Sequence, residues 1–220
     1  MSTQTAPVPR TGKTADRLRR TRAALVDEAR RRTAESGLGG FTVDELCTTV
    51  GVSRRTFFNH FASKDDVVVG VAVDEDDAVL EAYAASRRDP RLPPLSTVVD
   101  DLARLAVAQI RHVGLTREGA AAFRAALERE PRLLAAVMRQ GEAHRLRLVA
   151  AIAAHESLDP DDRRLHSVVS LLTAVVGRAC ERFFVEDGAD GDRFDGVLDQ
   201  ELATVRALVL PAPPLDRKAP

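Results

Sequence analysis

The 220-residue chain is poor in the residues and motifs that most enzymes display. It has a single tyrosine, five scattered histidines, and no GxGxxG, GxxxxGK[ST] or HExxH segment. No hydrolytic triad, phosphate cradle or zinc-peptidase helix is spelled out. Two cysteines, Cys47 and Cys180, lie far apart without a CxxC partner, which points to a reduced, cytoplasmic chain. No run of 18 apolar residues exists, so no membrane span is implied. The N-terminal "MSTQTAPVPRTGKTADR" lacks the apolar core of a secretory signal. "DEDD" at 74–77 places adjacent carboxylates in different directions on a helix. "DGADGDRFDG" at 187–196 fails as a calcium loop, because Phe194 and Asp195 fall where the fifth ligand and the glycine belong. No catalytic centre, metal or cofactor is implied.

Charge is what the chain has, and it is unevenly placed. Residues 1–64 carry 12 Lys+Arg against 6 Asp+Glu, a net of +6. Residues 65–220 carry 20 against 27, a net of −7. A basic head on an acidic body points to a polyanion held at one end.

Apolar residues recur at helical spacing almost throughout, and the expected fold is all-α with about nine helices. Residues 1–13 and 211–220 are expected to be disordered. A first helix carries Leu18, Leu25 and Ala29 and stops at Gly37. Thr42 and Glu45 form a capping-box pattern for a short helix that ends at Gly51. Ser53 caps a third helix through Phe61, and Ser63 with Asp66 starts a fourth. That fourth helix is expected to run through "VVVGVAV" despite its β-branched residues, which are only slightly disfavoured in helices. After a break at Arg91-Leu92-Pro93-Pro94 comes a stripe of Val99, Leu102, Ala106, Ile110 and Val113. A short helix over 118–127 and a long one over 131–156 follow. Asp159-Pro160 is expected to cap a helix with Leu165, Val169, Leu172, Val176, Ala179 and Phe183 on one face. Asp192 is expected to cap a last one with Phe194, Leu198, Leu202, Val205 and Val209.

Two short helices joined at a glycine form a helix-turn-helix, over residues 42–61. Val52, Phe57 and Phe61 face inward, onto Val43, Leu46, Cys47, Val50 and the first helix. Arg54 and Arg55 project outward, where arginine can pair bidentately with guanine in a major groove. Thr56 and Asn59 suit a base edge or a phosphate. His60 and Lys64 suit phosphates, as do the free N–H groups at the helix starts near Thr42 and Ser63.

The segment "FTVDELCTTVGVSRRTFFNHFASKDD", preceded by "AESGLGG", resembles the N-terminal domain of TetR-type transcriptional regulators. The resemblance covers residues 15–79 and rests on T-V-x-E-L, V-G-V-S, R-T-F-F-x-H-F and S-K in order. It implies a homodimeric repressor with two DNA-binding heads. The remainder, 80–210, would be a helical body that dimerises and binds a small molecule that releases DNA. It also implies Thr42, Ser53, Arg54, Arg55, Thr56, Phe58, Asn59, His60 and Lys64 as the DNA-facing set. Two departures stand out. The family often has tyrosine at Phe58, whose hydroxyl contacts a phosphate, so Phe58 is left to apolar packing or a thymine methyl. The family usually has two bulky apolar residues where Arg32 and Thr33 stand, which should weaken the first helix's packing and open space near Cys47.

The stretch "AAFRAALEREPRLLAAVMRQGEAHRLRLVAAIAA" more weakly resembles a subgroup that includes the mycofactocin-type regulators. This implies an acyl ligand such as a long-chain acyl-CoA, in an apolar tunnel with a basic mouth. Val137, Gly141, His144, Leu148 and Ile152 share one face. Phe123, Leu127 and Met138 could add wall, and Arg124, Arg139 or Arg145 could meet phosphates. Half-buried histidines and solvated arginines are the plainer reading of the same residues. In the family the last two helices pair with those of a second copy. Leu172, Val176, Phe183, Leu198, Leu202 and Val205 therefore belong to the dimer seam or to the core beneath it. A rival reading is a regulator without a metabolite, responding to oxidation through Cys180.

Overall fold

The computed structural model describes residues 12–70, 78–86, 88–113, 115–186 and 193–209. Among the described residues there are ten α-helices and no strand. They are α1 (Gly12–Ser36), α2 (Val43–Val50), α3 (Arg54–His60), α4 (Lys64–Val69) and α5 (Ala78–Ala85), then α6 (Val98–Val113), α7 (Arg117–Arg129), α8 (Leu133–Glu156), α9 (Arg163–Phe184) and α10 (Phe194–Val209). A single 3₁₀ turn, Leu38–Gly40, links α1 to α2.

Local chemistry sets the boundaries. The Thr42 hydroxyl accepts the Glu45 N–H at 3.2 Å, and the Glu45 carboxylate accepts the Thr42 N–H at 2.7 Å. Both halves of the capping box are therefore present. Ser53 caps α3 through the Thr56 N–H at 3.0 Å. Ser63 caps α4 through the Asp66 N–H at 3.1 Å. The expected fourth helix is interrupted at Gly70, which sits at φ 92° and closes α4 with an N–H to Asp66 O. Without a Cβ that conformation is unstrained, so α4 ends there. "DEDD" at 74–77 and most of "DGADGDRFDG" lie outside the described residues, as do 1–11, 211–220 and the expected cap Asp192. Gly12 and Lys13 are helical rather than disordered. The cap of α9 is Asp162, whose carboxylate accepts the Arg164 N–H at 2.8 Å, not Asp159-Pro160.

The helices gather into two compact units, a head and a body. The head holds α1–α4 together with residues 121–138; the body holds α5, α6 and the rest from 139 onward. The head is thus discontinuous in sequence, which the boundary expected near residue 79 did not anticipate. Its core is Leu25, Ala29, Leu38, Phe41, Leu46, Cys47, Phe57, Phe61, Val67 and Val68, completed by Ala126 and Leu133. Each fully buried Leu or Phe there contributes about 1.5–3 kcal/mol. Thr33 is fully buried with its hydroxyl donating to Ala29 O at 2.7 Å, and Arg32 reaches Thr49 Oγ1 at 2.8 Å. Cys47 is itself buried, so the two polar residues are absorbed rather than leaving space. The body core runs from Val98 and Leu102 through Val149 and Ile152 to the inner faces of α9 and α10.

Candidate nucleic-acid interface and body cavity

The α2–α3 corner is fixed by Gly51, at φ 75° and ψ 36°. A side chain there would cost about 1–2 kcal/mol in the left-handed region. Its N–H bonds to Thr48 O, and the Val52 N–H bonds to Cys47 O at 2.9 Å. Phe57 and Phe61 are fully buried beneath α3, with ring centroids 5.9 Å apart. That inner face presses the opposite face outward. Ser53, Arg54, Arg55, Phe58 and Asn59 are exposed, and Thr56 and His60 are half-buried. Thr56 Oγ1 and Ser53 Oγ hydrogen bond to each other at 2.8 Å. Phe58 is 43% exposed and meets Phe57 edge to face at 5.1 Å. It keeps an apolar face open at the place where the family often carries a hydroxyl.

The two arginines differ. Arg54 Nη1 donates to both Asp44 oxygens at 3.0 and 2.9 Å, and its guanidinium lies 5.4 Å from the Phe58 ring centre. An exposed pair of this kind is worth about 0–1 kcal/mol. It orients Arg54 without locking it. Arg55 has no ion-pair partner among the described residues and extends from the same turn.

Other basic residues face inward. Lys64 Nζ donates to Leu38 O and to Phe41 O at 2.5 and 2.8 Å, above the Phe41 ring. An ammonium has three protons, so two serve as a brace and the third is not used by these carbonyls. Arg30 is buried. It donates to Val68 O at 2.9 Å and Val69 O at 3.3 Å, and stacks 4.3 Å from the centre of Phe123. Burial lowers its pKa to about 10, so it stays a cation near neutral pH. Arg22 donates to Gly70 O at 3.3 Å. Together Arg22 and Arg30 satisfy the carbonyls at the end of α4. Glu130 accepts the Leu38 N–H at 2.8 Å. Asp44, Arg22, Arg30 and Glu130 were not foreseen, because their partners are backbone atoms or residues distant in sequence.

In the body, a cavity of about 230 Å³ lies among α5, α6, α8 and α9. Leu80 comes from α5, and Leu102, Leu105, Ala106, Gln109 and Ile110 from α6. His144 and Leu148 come from α8, and Val169, Leu172, Thr173 and Val176 from α9. Of the residues expected at a ligand site, His144 and Leu148 line it. Phe123, Arg124, Val137 and Met138 belong to the head segment 121–138, where Phe123 lies against Arg30 and Met138 is 68% exposed. Gly141 is exposed, and Arg145 pairs with Glu142 at 2.7 Å. No Lys or Arg is among the described lining residues, so the basic mouth expected for an acyl-CoA is not found there. The signal available in sequence was the α6 stripe of Leu102, Ala106 and Ile110, with Gln109 intruding on it.

The residues expected at the dimer seam or in the core beneath it fall mainly on the core side. Leu172, Leu198 and Leu202 are buried in the body core, and Val176 lines the cavity. Phe183 packs edge to face on Phe184 and Phe194, and Val205 is half-buried. A side chain already enclosed in one copy adds little area to a contact with another. The outward faces of α9 and α10 instead carry Leu171, Ala174, Gly177, Gly196, Ala203 and Ala207. Cys180 is half-buried against the core, and burial pushes its thiol up to about 11.

Among the described residues no group of three or more His, Cys, Asp and Glu is placed to hold a metal ion, and no helix is long and apolar enough to cross a membrane. Residues 25–71 match the family model described as bacterial regulatory proteins, tetR family. The chain is also similar to the HTH-type transcriptional regulator TcmR of Streptomyces glaucescens, with 35% identity over 170 residues. That match spans 76% of this chain and 74% of the relative.

Proposed function

The chain belongs to the TetR family of bacterial regulatory proteins, and from that premise we propose that it is a homodimeric repressor released from operator DNA by a small molecule. The observation that carries this reading is α3, an outward face of Arg54, Arg55, Phe58 and Asn59 on a fully buried Phe57 and Phe61. Such a helix fits the major groove. Arg55 reads a base edge. Arg54 exchanges Asp44 for a base or phosphate. Thr42, Ser53, Thr56, His60 and the third proton of Lys64 meet phosphates, and Phe58 meets a thymine methyl.

One short helix reads few base pairs, so two copies on a symmetric site make the contact specific. The outward face of α9 and α10, with Leu171 at 46% exposure and Leu208 at 80%, is the seam this reading favours. A ligand in the body cavity releases DNA only through different affinities for two conformations. The rival, oxidation at Cys180, is disfavoured by a half-buried thiol that stays protonated near neutral pH. Fluorescence anisotropy on DNA from upstream of the chain's own gene tests the proposal. Tight, salt-sensitive binding is expected, and binding by a protein that sediments only as a monomer would overturn the dimer.

A further inference from the structure

We infer that the body cavity takes an uncharged, largely hydrocarbon molecule of about two fused rings that presents one hydrogen-bonding group to Gln109. This deepens the reading of the chain as a ligand-released regulator and rests on it. Size comes first. The cavity holds about 230 Å³, about half again as much as the roughly 150 Å³ apolar cavity that binds benzene. Two fused rings fit a volume of this size, and an acyl chain carrying a nucleotide exceeds it.

Charge comes second. Nine of the twelve described lining side chains are aliphatic, and the polar three are Gln109, His144 and Thr173, with no Lys, Arg, Asp or Glu among them. An ionised ligand would lose its hydration without meeting a guanidinium, an ammonium or a carboxylate. The polar edge comes third. Gln109 is half-buried on the α6 stripe and offers two donors and an acceptor. The Thr173 hydroxyl already donates to Val169 O at 2.8 Å, which leaves it as an acceptor. A ligand hydroxyl or carbonyl satisfies such groups, and a bare hydrocarbon would leave them dry.

A second body cavity, near Tyr83 and Glu156, offers no comparable class. Most of its charges are already paired, Arg88 with Glu156 at 2.6 Å and Asp101 with Arg104 within the lining, and Asp100 with Arg206 from outside it at 2.8 Å.

The test is calorimetric titration of the full-length protein at pH 7 with 1-naphthol, naphthalene, 1-naphthoate and decanoyl-CoA. 1-Naphthol should bind at least tenfold more tightly than 1-naphthoate or decanoyl-CoA, and several-fold more tightly than naphthalene. Gln109→Leu should erase the preference over naphthalene, and Ala106→Phe should weaken 1-naphthol at least tenfold with the melting temperature retained. Equal or tighter binding of the anion or the CoA ester would overturn the uncharged class. An unchanged preference in Gln109→Leu would overturn the polar edge, and no heat with any probe would overturn the cavity as a site. These comparisons within the wild-type protein hold even if Ala106→Phe fails to fold. Operator anisotropy is read separately. Binding of 1-naphthol with no effect on DNA would overturn release by ligand while leaving the ligand class intact.

Discussion

In the head, three basic side chains turn inward, Arg22, Arg30 and Lys64, and end on backbone carbonyls, while Arg54 stays outside and pairs with Asp44. In the body, charges pair along the outside, as in Arg178 with Glu181 and Glu186 or Arg182 with Glu201, and the described lining of the apolar cavity has no Lys, Arg, Asp or Glu. The +6 of residues 1–64 is therefore a poor count of the surface open to DNA. Arg22, Arg30 and Lys64 hold the head's helices together, while Arg54 and Arg55 stand exposed on α3. In the body the neutral lining is the informative part. Charge in the head says how the reading helix is mounted; its absence in the cavity says what can enter.

The largest effects should come from cores, and they test whether the head includes residues from the middle of the chain. Phe57→Ala should lose about 3–5 kcal/mol, measured by urea unfolding. Leu133→Ala, far away in sequence, should lose about 2–5 kcal/mol. Its loss of hydrogen-exchange protection should appear in α1–α4 rather than in α6, α9 and α10. Loss confined to the body would break the division drawn here.

Next in size is the reading surface. Arg55→Ala should cost about 1–3 kcal/mol in operator affinity and relax base preference. Arg54→Ala should cost less, since Arg54 gives up Asp44 in order to bind. Anisotropy on operator and on substituted sites separates the two, and an inverted order would exchange their roles. Lys64→Ala should lower stability by about 1–2 kcal/mol through two lost carbonyl bonds. It should also reduce the salt slope by about 1 if the remaining proton meets a phosphate. Unchanged stability would mean that the carbonyl bonds do not hold in solution.

The head was legible because its signals are short-range. Thr42 with Glu45, the Ser53 cap and Gly51 each announce one backbone geometry, and α2, α3 and their turn stand where those residues put them. The all-helical class followed from periodicity. The body was legible only as stripes. A stripe such as Leu172, Val176 and Phe183 reads the same whether it meets the core, a cavity or a second copy, and the structure divides those three among the core, the cavity wall and an aromatic cluster. Arg30 was unreadable for a different reason, since its partners are carbonyls 38 and 39 positions away.

The smallest effect concerns Cys180, and it separates a packing thiol from a sensor. Burial raises this thiol from 9.0 to about 11. The folded chain therefore holds the proton more tightly than the unfolded chain does. The stability that goes with it is fully present below pH 9 and is lost as pH rises toward 11. Melting temperature followed from pH 8 to 11 should fall in the wild type, and Cys180→Ala should remove part of that fall at the cost of a small cavity. Peroxide at pH 7 should change neither operator affinity nor mobility on non-reducing gels, because the thiolate is the reactive form and burial suppresses it. A disulfide-linked dimer after peroxide would place Cys180 at an accessible seam and restore oxidation as the signal.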